Sequence, residues 1–197
     1  ARQIVFAHAA LTIPGEGLQH AERAARANLG ARFASHDLDV RIGAWRMFRQ
    51  EIGGRESLQL RMQGPQFSWE LSLSPSQPLL LQGDAGHSRK GHAPDLASHY
   101  VSWPQMRVAG TLLRQGRRQA VDGRAWFDHE WSTALLGGGA VGWDWLGINL
   151  ADGGALMAFR MRDAAGATLY AHAAWRDAGG RLQQFASEQV HFTPLRH

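Results

Sequence analysis

The ten residues from Gly123 to Ser132 read GRAWFDHEWS, and they gather two tryptophans, a phenylalanine, two carboxylates and a histidine. If the stretch is a strand, side chains alternate, so Trp126, Asp128 and Glu130 share one face while Phe127, His129 and Trp131 share the other. Carboxyls set among indoles lose solvation, and desolvation disfavours the charged form. Asp128 or Glu130 is therefore expected to hold a proton near neutral pH and to be able to donate it. A second stretch, GWDWLGINL, sets Trp143 and Trp145 on one face with Asp144 opposite. An aromatic-lined cavity with one buried acid stabilises a developing carbocation through its ring faces. That is acid chemistry suited to an alkene, and it needs no cofactor. Asp128 is the expected donor, with Glu130 or His129 setting its protonation state and Trp126, Trp143 and Trp145 lining the cavity. Ser98 and Tyr100, in ASHYVSWP, share a face by parity and are expected to offer hydroxyls to the same cavity.

A structural reading competes with this one. Tryptophans in barrels mostly pack cores, and an Asp or Glu beside Arg mostly forms an ion pair, with Arg160 or Arg162 available as partner. Other chemistries find no anchor. His129 and Glu130 point to opposite sides of a regular strand and cannot chelate one ion. A metal would need His129 with distant His8 or His172, and spaced ligand pairs are missing, so no metal is expected. The absence of cysteine excludes disulfides, thiolate metal sites and thiol catalysis. Neither a Gly-x-Ser-x-Gly elbow nor a phosphate-loop or dinucleotide glycine fingerprint occurs.

The elements that must position these residues are mostly strands. Alternation of apolar and polar residues marks QFSWELSLS, LDVRIGAWRMF, SLQLRMQ, QMRVAGTLLRQG, DWLGINL, ALMAFRMR and ATLYAHAAW, with Gly-Gly, Gly-Pro and Asp-Gly turns between them. NLADGGALMAF predicts a hairpin. One helix is expected over LQHAERAARANLG, from its Ala and Arg content with Gly30 as its stop. The longest irregular stretch, residues 81–98, is polar and glycine-rich, and long loops at a barrel mouth collect function. Short strands joined by tight turns imply an all-β antiparallel barrel or sandwich, and a barrel of this size can enclose one lipophilic molecule.

The chain has 197 residues, 44% of them hydrophobic, with a formal charge of +4. Its basic residues are arginines apart from Lys90, and they are scattered along the chain rather than gathered in a stripe, so no nucleic-acid partner is expected. No apolar run approaches the roughly 20 residues of a spanning helix, so any membrane contact is expected to be peripheral or through a part not present here.

The order of motifs resembles the carotenoid 1,2-hydratase (hydroxyneurosporene synthase) and AttH-like family: FAHAALT, LLLQGDAGHSRKG, ASHYVSWPQMRVAGTL, VDGRAWFDHEWS, then GWDWLGINLADGGALMAFRMR. The resemblance covers nearly the whole chain, and QGDxGxSxKG and WFDHEW are its specific elements. It implies a lipocalin-like (calycin) barrel over 1–197, the first of two in the full-length protein. A preceding strand segment and the second barrel are expected to be missing, and residues 186–197 to begin the connection. It adds Asp84, Ser88 and Lys90 to the expected ligand-binding positions. It also implies a hydrophobic isoprenoid or polyene partner and cofactor-free hydration of a carbon–carbon double bond. The rival it leaves open is a non-catalytic lipid carrier beside an envelope transporter, with secreted hydrolase activity a weaker third. Periplasmic or other extracytoplasmic residence follows from the exported members of the family. Leu146, His99 and Val101 depart from aromatics frequent in the family, which bears on a carotenoid substrate more than on the fold.

Overall fold

The computed structural model describes residues 3–133 and 136–193. Its strands are β1 (Ile4–Ile13), β2 (Gly17–Arg26), β3 (Ala31–Phe33), β4 (Asp39–Ile42), β5 (Trp45–Ile52), β6 (Arg55–Gln63), β7 (Phe67–Ser74), β8 (Leu80–Leu81), β9 (His87–Arg89), β10 (Ala97–Arg114), β11 (Arg117–Trp131), β12 (Gly142–Asn149), β13 (Ala155–Arg162), β14 (Thr168–Arg176) and β15 (Leu182–Phe185). A single 3-10 turn over Ser187–Gln189 is the only helical element among the described residues. The sheets are antiparallel, as the alternation predicts. The chain divides into two compact units: residues up to Pro75 with Arg107–Gly123, and Ser76–Met106 with residues from Arg124 onward. The long strands β10 and β11 contribute to both.

In the first unit β1 and β2 form a hairpin paired from Ile4↔Arg26 to Ile13↔Gly17. The helix expected over residues 18–30 is therefore a strand and the turn after it. Alanine's helix preference is worth only a fraction of a kcal/mol per residue, and tertiary pairing overrides it. Ala21 is buried and Ala25 partly so, against Trp45, Met62 and Phe67, while Leu18 stays exposed. Period-2 burial was hidden because the buried positions carry alanine, which marks no face. Strands β3 to β7 follow as a meander, and β7 pairs with the Arg107–Arg114 half of β10.

In the second unit β12 to β15 form a second meander. The predicted β12–β13 hairpin is present, paired from Gly142↔Arg162 to Asn149↔Ala155, and the Leu150 amide reaches the Gly154 carbonyl across Asp152-Gly153 at 2.9 Å. Gln105, buried and at φ 58°, ties this hairpin to β10. Its amide donates to Asn149 Oδ1 (2.7 Å), and its Nε2 donates to the Leu150 and Gly154 carbonyls (2.8 and 2.7 Å). The strand carrying Trp143 and Trp145 is thereby fixed against the strand carrying Ser98 and Tyr100.

The stretch expected to be a long loop, 81–98, is partly sheet. Ala85 (φ 47°) and Gly86 (φ 94°) make a two-residue turn of the I′ kind between Asp84 and His87, whose backbones bond reciprocally at 2.8 and 3.1 Å. Gly83 before it tolerates no side chain, since a Cβ there would lie 2.4 Å from the His87 carbonyl oxygen. β9 then pairs with the start of β10, setting Ser88 opposite Ser98. Half of the QGDxGxSxKG motif is thus turn chemistry that delivers Ser88 and Lys90 to one place.

Candidate functional site

Four strands of the second unit converge on a pocket of about 180 Å³ lined by Lys90, Ser98, Tyr100, Glu130, Trp131, Ser132, Trp143, Trp145, Phe159 and Met161. β10 brings Ser98 and Tyr100, the end of β11 brings Glu130, and the β12–β13 hairpin brings the indoles and Phe159. Tyr100 and Phe159 belong to the buried cluster with Met157 and Met161, so the pocket wall is also core.

The pocket's charge is a pair. Lys90 Nζ lies 2.6 Å from Glu130 Oε1, with the lysine side chain 17% and the glutamate 40% exposed. Ser98 Oγ donates to the same carboxylate oxygen, and Lys90 donates to buried Ser88 Oγ at 3.2 Å. The ammonium also stands 4.2 Å from the Phe159 ring centroid and 4.8 Å from that of Tyr100. Burial depresses the Lys90 pKa, and Glu130 works against that depression. The ammonium is desolvated, and it is compensated by the Glu130 carboxylate, by the more distant charge of Asp128 and by two ring faces.

Asp128 sits beside the pocket rather than in its wall. Its Oδ1 accepts from Ser102 Oγ at 2.6 Å and from Trp126 Nε1 at 2.7 Å, and the Tyr100 hydroxyl stands beside the same carboxyl and acts on its titration. Behind Ser102, Gln82 Nε2 donates to Ser102 Oγ at 2.9 Å, and neither residue is exposed. Part of Asp128 remains open to solvent, but its carboxyl is recessed among these groups. Burial raises its pKa, against the opposing pull of Ser102, Trp126 and Tyr100, and the Glu130 charge adds to the rise. Trp145 Nε1 donates to Tyr100 Oη at 2.9 Å, and burial, then the Asp128 charge, pushes the phenol's pKa well above its ordinary value. Trp126 and Trp145 meet edge to face at 6.3 Å. A side chain at Gly147 would strike both indoles, with Trp145 at 2.6 Å and Trp126 at 3.0 Å.

The strand parity predicted for GRAWFDHEWS holds for its centre. Trp126, Asp128 and Glu130 point into this region, whereas His129 meets Phe127 edge to face at 6.5 Å and Trp131 at a tilt at 4.9 Å; Trp131, at the strand's end, also reaches the pocket wall. His129 is not brought to Asp128 and does not set its protonation; Tyr100, Ser102 and Trp126 occupy that place. Of the expected ligand-binding residues, Lys90, Ser98, Tyr100, Trp143 and Trp145 line the pocket. Ser88 supports Lys90 from below, Trp126 packs behind the wall, and Asp84 opens the turn before β9 away from it. Arg160 and Arg162, offered as partners for the motif's carboxylates, both bind Asp144 instead, at 2.6 and 3.5 Å. Ser102, Gln82, Phe159 and Met161 are parts of the site that the sequence did not point to, while Trp131, the last residue of WFDHEW, lines the pocket. Ser102 continues the parity of Ser98 and Tyr100 and was open to that argument. Phe159 and Met161 lie in a strand buried on both faces, where alternation is silent.

A model of the AttH-like family matches residues 1–197. The chain belongs to the AttH-like family. It is similar to the crystal structure of an AttH protein from Nitrosomonas europaea, with 41% identity and a TM-score of 0.92, over 98% of this chain and 60% of that one. It also resembles kievitone hydratase from Nectria haematococca, with a TM-score of 0.73 at 13% identity, over 94% of this chain and 56% of that one. The second likeness shows the shared fold alone. No curated protein matches the chain. The AttH-like chain thus has the all-β, antiparallel, lipocalin-like fold expected from its motifs, and it spans about 60% of the length of the solved AttH protein.

Proposed function

We propose that the pocket of the second unit binds one end of a lipophilic unsaturated molecule, of isoprenoid or polyene type, and adds water across its terminal double bond without a cofactor. The observation that carries this reading is Asp128: a carboxyl with a raised pKa, held by neutral donors and joined through Tyr100 to an aromatic-lined pocket. A proton from Asp128 enters the carbon–carbon bond, giving a tertiary cation that faces the rings of Trp143, Trp145 and Phe159. Water adds to the cation, and its surplus proton leaves toward Glu130, the carboxylate in the pocket wall. Product and substrate differ by one water, and the acid is reset from solvent.

The volume limits what enters. An apolar cavity of roughly 150 Å³ takes a molecule the size of benzene, so about 180 Å³ accepts a terminal isoprene unit and leaves the rest of a long polyene outside. The test is incubation of the protein with short and long isoprenoid alkenes, followed by mass spectrometry. A product heavier by the mass of one water supports the reading. Bound but unchanged alkene on repeated incubation supports the carrier instead.

A further inference from the structure

Asp128 does not line the pocket, so some group must carry its proton to the ligand. Ser102 and Trp126 donate to its carboxyl at 2.6 and 2.7 Å, and the Tyr100 hydroxyl stands beside it as the third group that acts on it. An indole N–H donates but cannot accept, which removes Trp126 from any relay. Ser102 is fully buried and absent from the pocket wall. Tyr100 alone among the three both lines the pocket and carries a group that can accept one proton while giving another.

We propose that Tyr100 is the catalytic residue that passes the proton from Asp128 to the double bond; this rests on the hydration reading above. The hydrogen bond from Trp145 Nε1 occupies one lone pair of Tyr100 Oη, leaving one acceptor position and one O–H. While Asp128 is ionised, that O–H points to the carboxylate and nothing faces the ligand. Once Asp128 is protonated the direction reverses: the acid donates to Oη, and the phenolic hydrogen turns into the pocket. In the chemical step the Asp128 O–H bond breaks as a new Oη–H bond forms. The old Oη–H bond breaks as its proton takes the electron pair of the alkene to form a C–H bond. Asp128 is left as carboxylate and the phenol is regenerated, so phenolate is never formed. The raised pKa of Tyr100 fits a group that stays protonated throughout.

The test compares the parent protein with Tyr100→Phe, Asp128→Asn and the double variant on a short trisubstituted alkene such as geraniol. Tyr100→Phe keeps the ring against Phe159 and Lys90 and removes only the hydroxyl. The expected result is a fall in turnover of about 100-fold or more, the scale of general acid catalysis, with ligand binding, read by indole fluorescence, nearly unchanged. The double variant is expected to lose no more than Asp128→Asn alone, because the two act as one unit. In mixtures of light and heavy water the parent's rate is expected to bow, reporting two protons in flight. The carbon-13 titration of Asp128 is expected to move upward in Tyr100→Phe, since a hydrogen bond to its ionised form is lost. Parent turnover with Tyr100→Phe unimpaired, losses that multiply in the double variant, or an unmoved Asp128 titration each overturn the relay while the hydration reading stands. No turnover by the parent on any alkene overturns both.

Discussion

Asp128 in the second unit behaves in the opposite way to Asp37 and Asp39 in the first. In the first, Asp39 meets the Arg46 fork at 2.8 Å through both oxygens and Asp37 meets Arg49 at 2.6 Å, and these hydrogen bonds hold both carboxyls below their ordinary pKa. In the second, Asp128 has neutral donors and no arginine, and burial raises it. Asp144, on the next strand in sequence, shows that the partner decides: with Arg160 beside it, its pKa falls. A guanidinium makes an aspartate a permanent anion, whereas an indole, a phenol and a serine leave its proton negotiable. The comparison teaches that the candidate acid is recognised by the absence of arginine from its partners more than by the presence of tryptophan.

The largest effect expected from breaking this contrast is at Asp128 itself. Asp128→Asn keeps the shape and an acceptor oxygen for Ser102 and Trp126 but carries no acidic proton. Hydration should fall by about 100-fold or more, with alkene binding by fluorescence almost intact. Turnover unchanged in this variant removes Asp128 from the mechanism. The sign of the pH dependence follows from the same group. Its active form is protonated and its pKa is raised, so turnover should decline as pH climbs through that raised value. Folding stability should decline over the same rise, between the ordinary carboxylate value and the raised one, because the ionised form is disfavoured in the fold. Thermal unfolding of Asp128→Asn against pH should lack that decline.

Next in size is the Lys90–Glu130 pair. Glu130→Gln removes the carboxylate that bonds the ammonium directly and opposes its depression, so the Lys90 pKa should drop further. Lys90 is the sole lysine in the chain, so its ε-carbon resonance needs no assignment and the titration reads directly. A fully buried pair broken on one side costs about 3–5 kcal/mol; with Glu130 at 40% exposure, about 1–2 kcal/mol by chemical denaturation is expected here. Lys90→Met, which removes the desolvated charge and keeps the bulk against Phe159, should cost less than Glu130→Gln. The reverse order would mean that the carboxylate rather than the ammonium carries the desolvation penalty.

A smaller and more local effect is expected at Gly147. Gly147→Ala places a methyl where Trp145 and Trp126 now meet, and one indole must move. Since Trp145 holds Tyr100 and Trp126 holds Asp128, the displacement should weaken turnover more than it weakens binding. The indole side-chain N–H resonances give the independent reading. If both stay in place, the glycine is no part of the site's geometry.

Much of this site was legible in the residues, and what was not has physical reasons. Parity along GRAWFDHEWS separated Asp128 and Glu130 from His129, and parity along GWDWLGINL separated the two indoles from Asp144, because regular strands leave side chains no choice of face. The β2 strand was illegible because alanines fill its buried positions and suit a helix equally well. The partners of each carboxylate were illegible too. Arg160 and Arg162 lie opposite Asp144 across the β12–β13 ladder, in register Asp144↔Arg160 and Gly142↔Arg162. Only the hairpin register assigns them there and leaves Asp128 without a guanidinium. The same holds for Asp84: its place in a conspicuous motif looked chemical, and the left-handed Ala85-Gly86 turn shows that the motif's first half shapes backbone.

The smallest expected effect lies on the first unit's side of the comparison. Asp39→Asn removes an exposed bidentate partner of Arg46, and exposed pairs of this kind contribute little because solvent and salt screen them. The sign is nonetheless fixed. A lowered carboxyl pKa contributes stability that is present above the ordinary carboxylate value and lost as pH falls through the lowered one. The variant should therefore unfold slightly earlier than the parent at neutral pH in low salt, and the gap should close both on acidification and on addition of salt. Asp128→Asn should show the opposite slope, gaining on the parent as pH rises. Thermal unfolding of the two variants on one pH axis thus tests the contrast directly: parallel curves would mean that arginine's presence or absence does not separate the two aspartates.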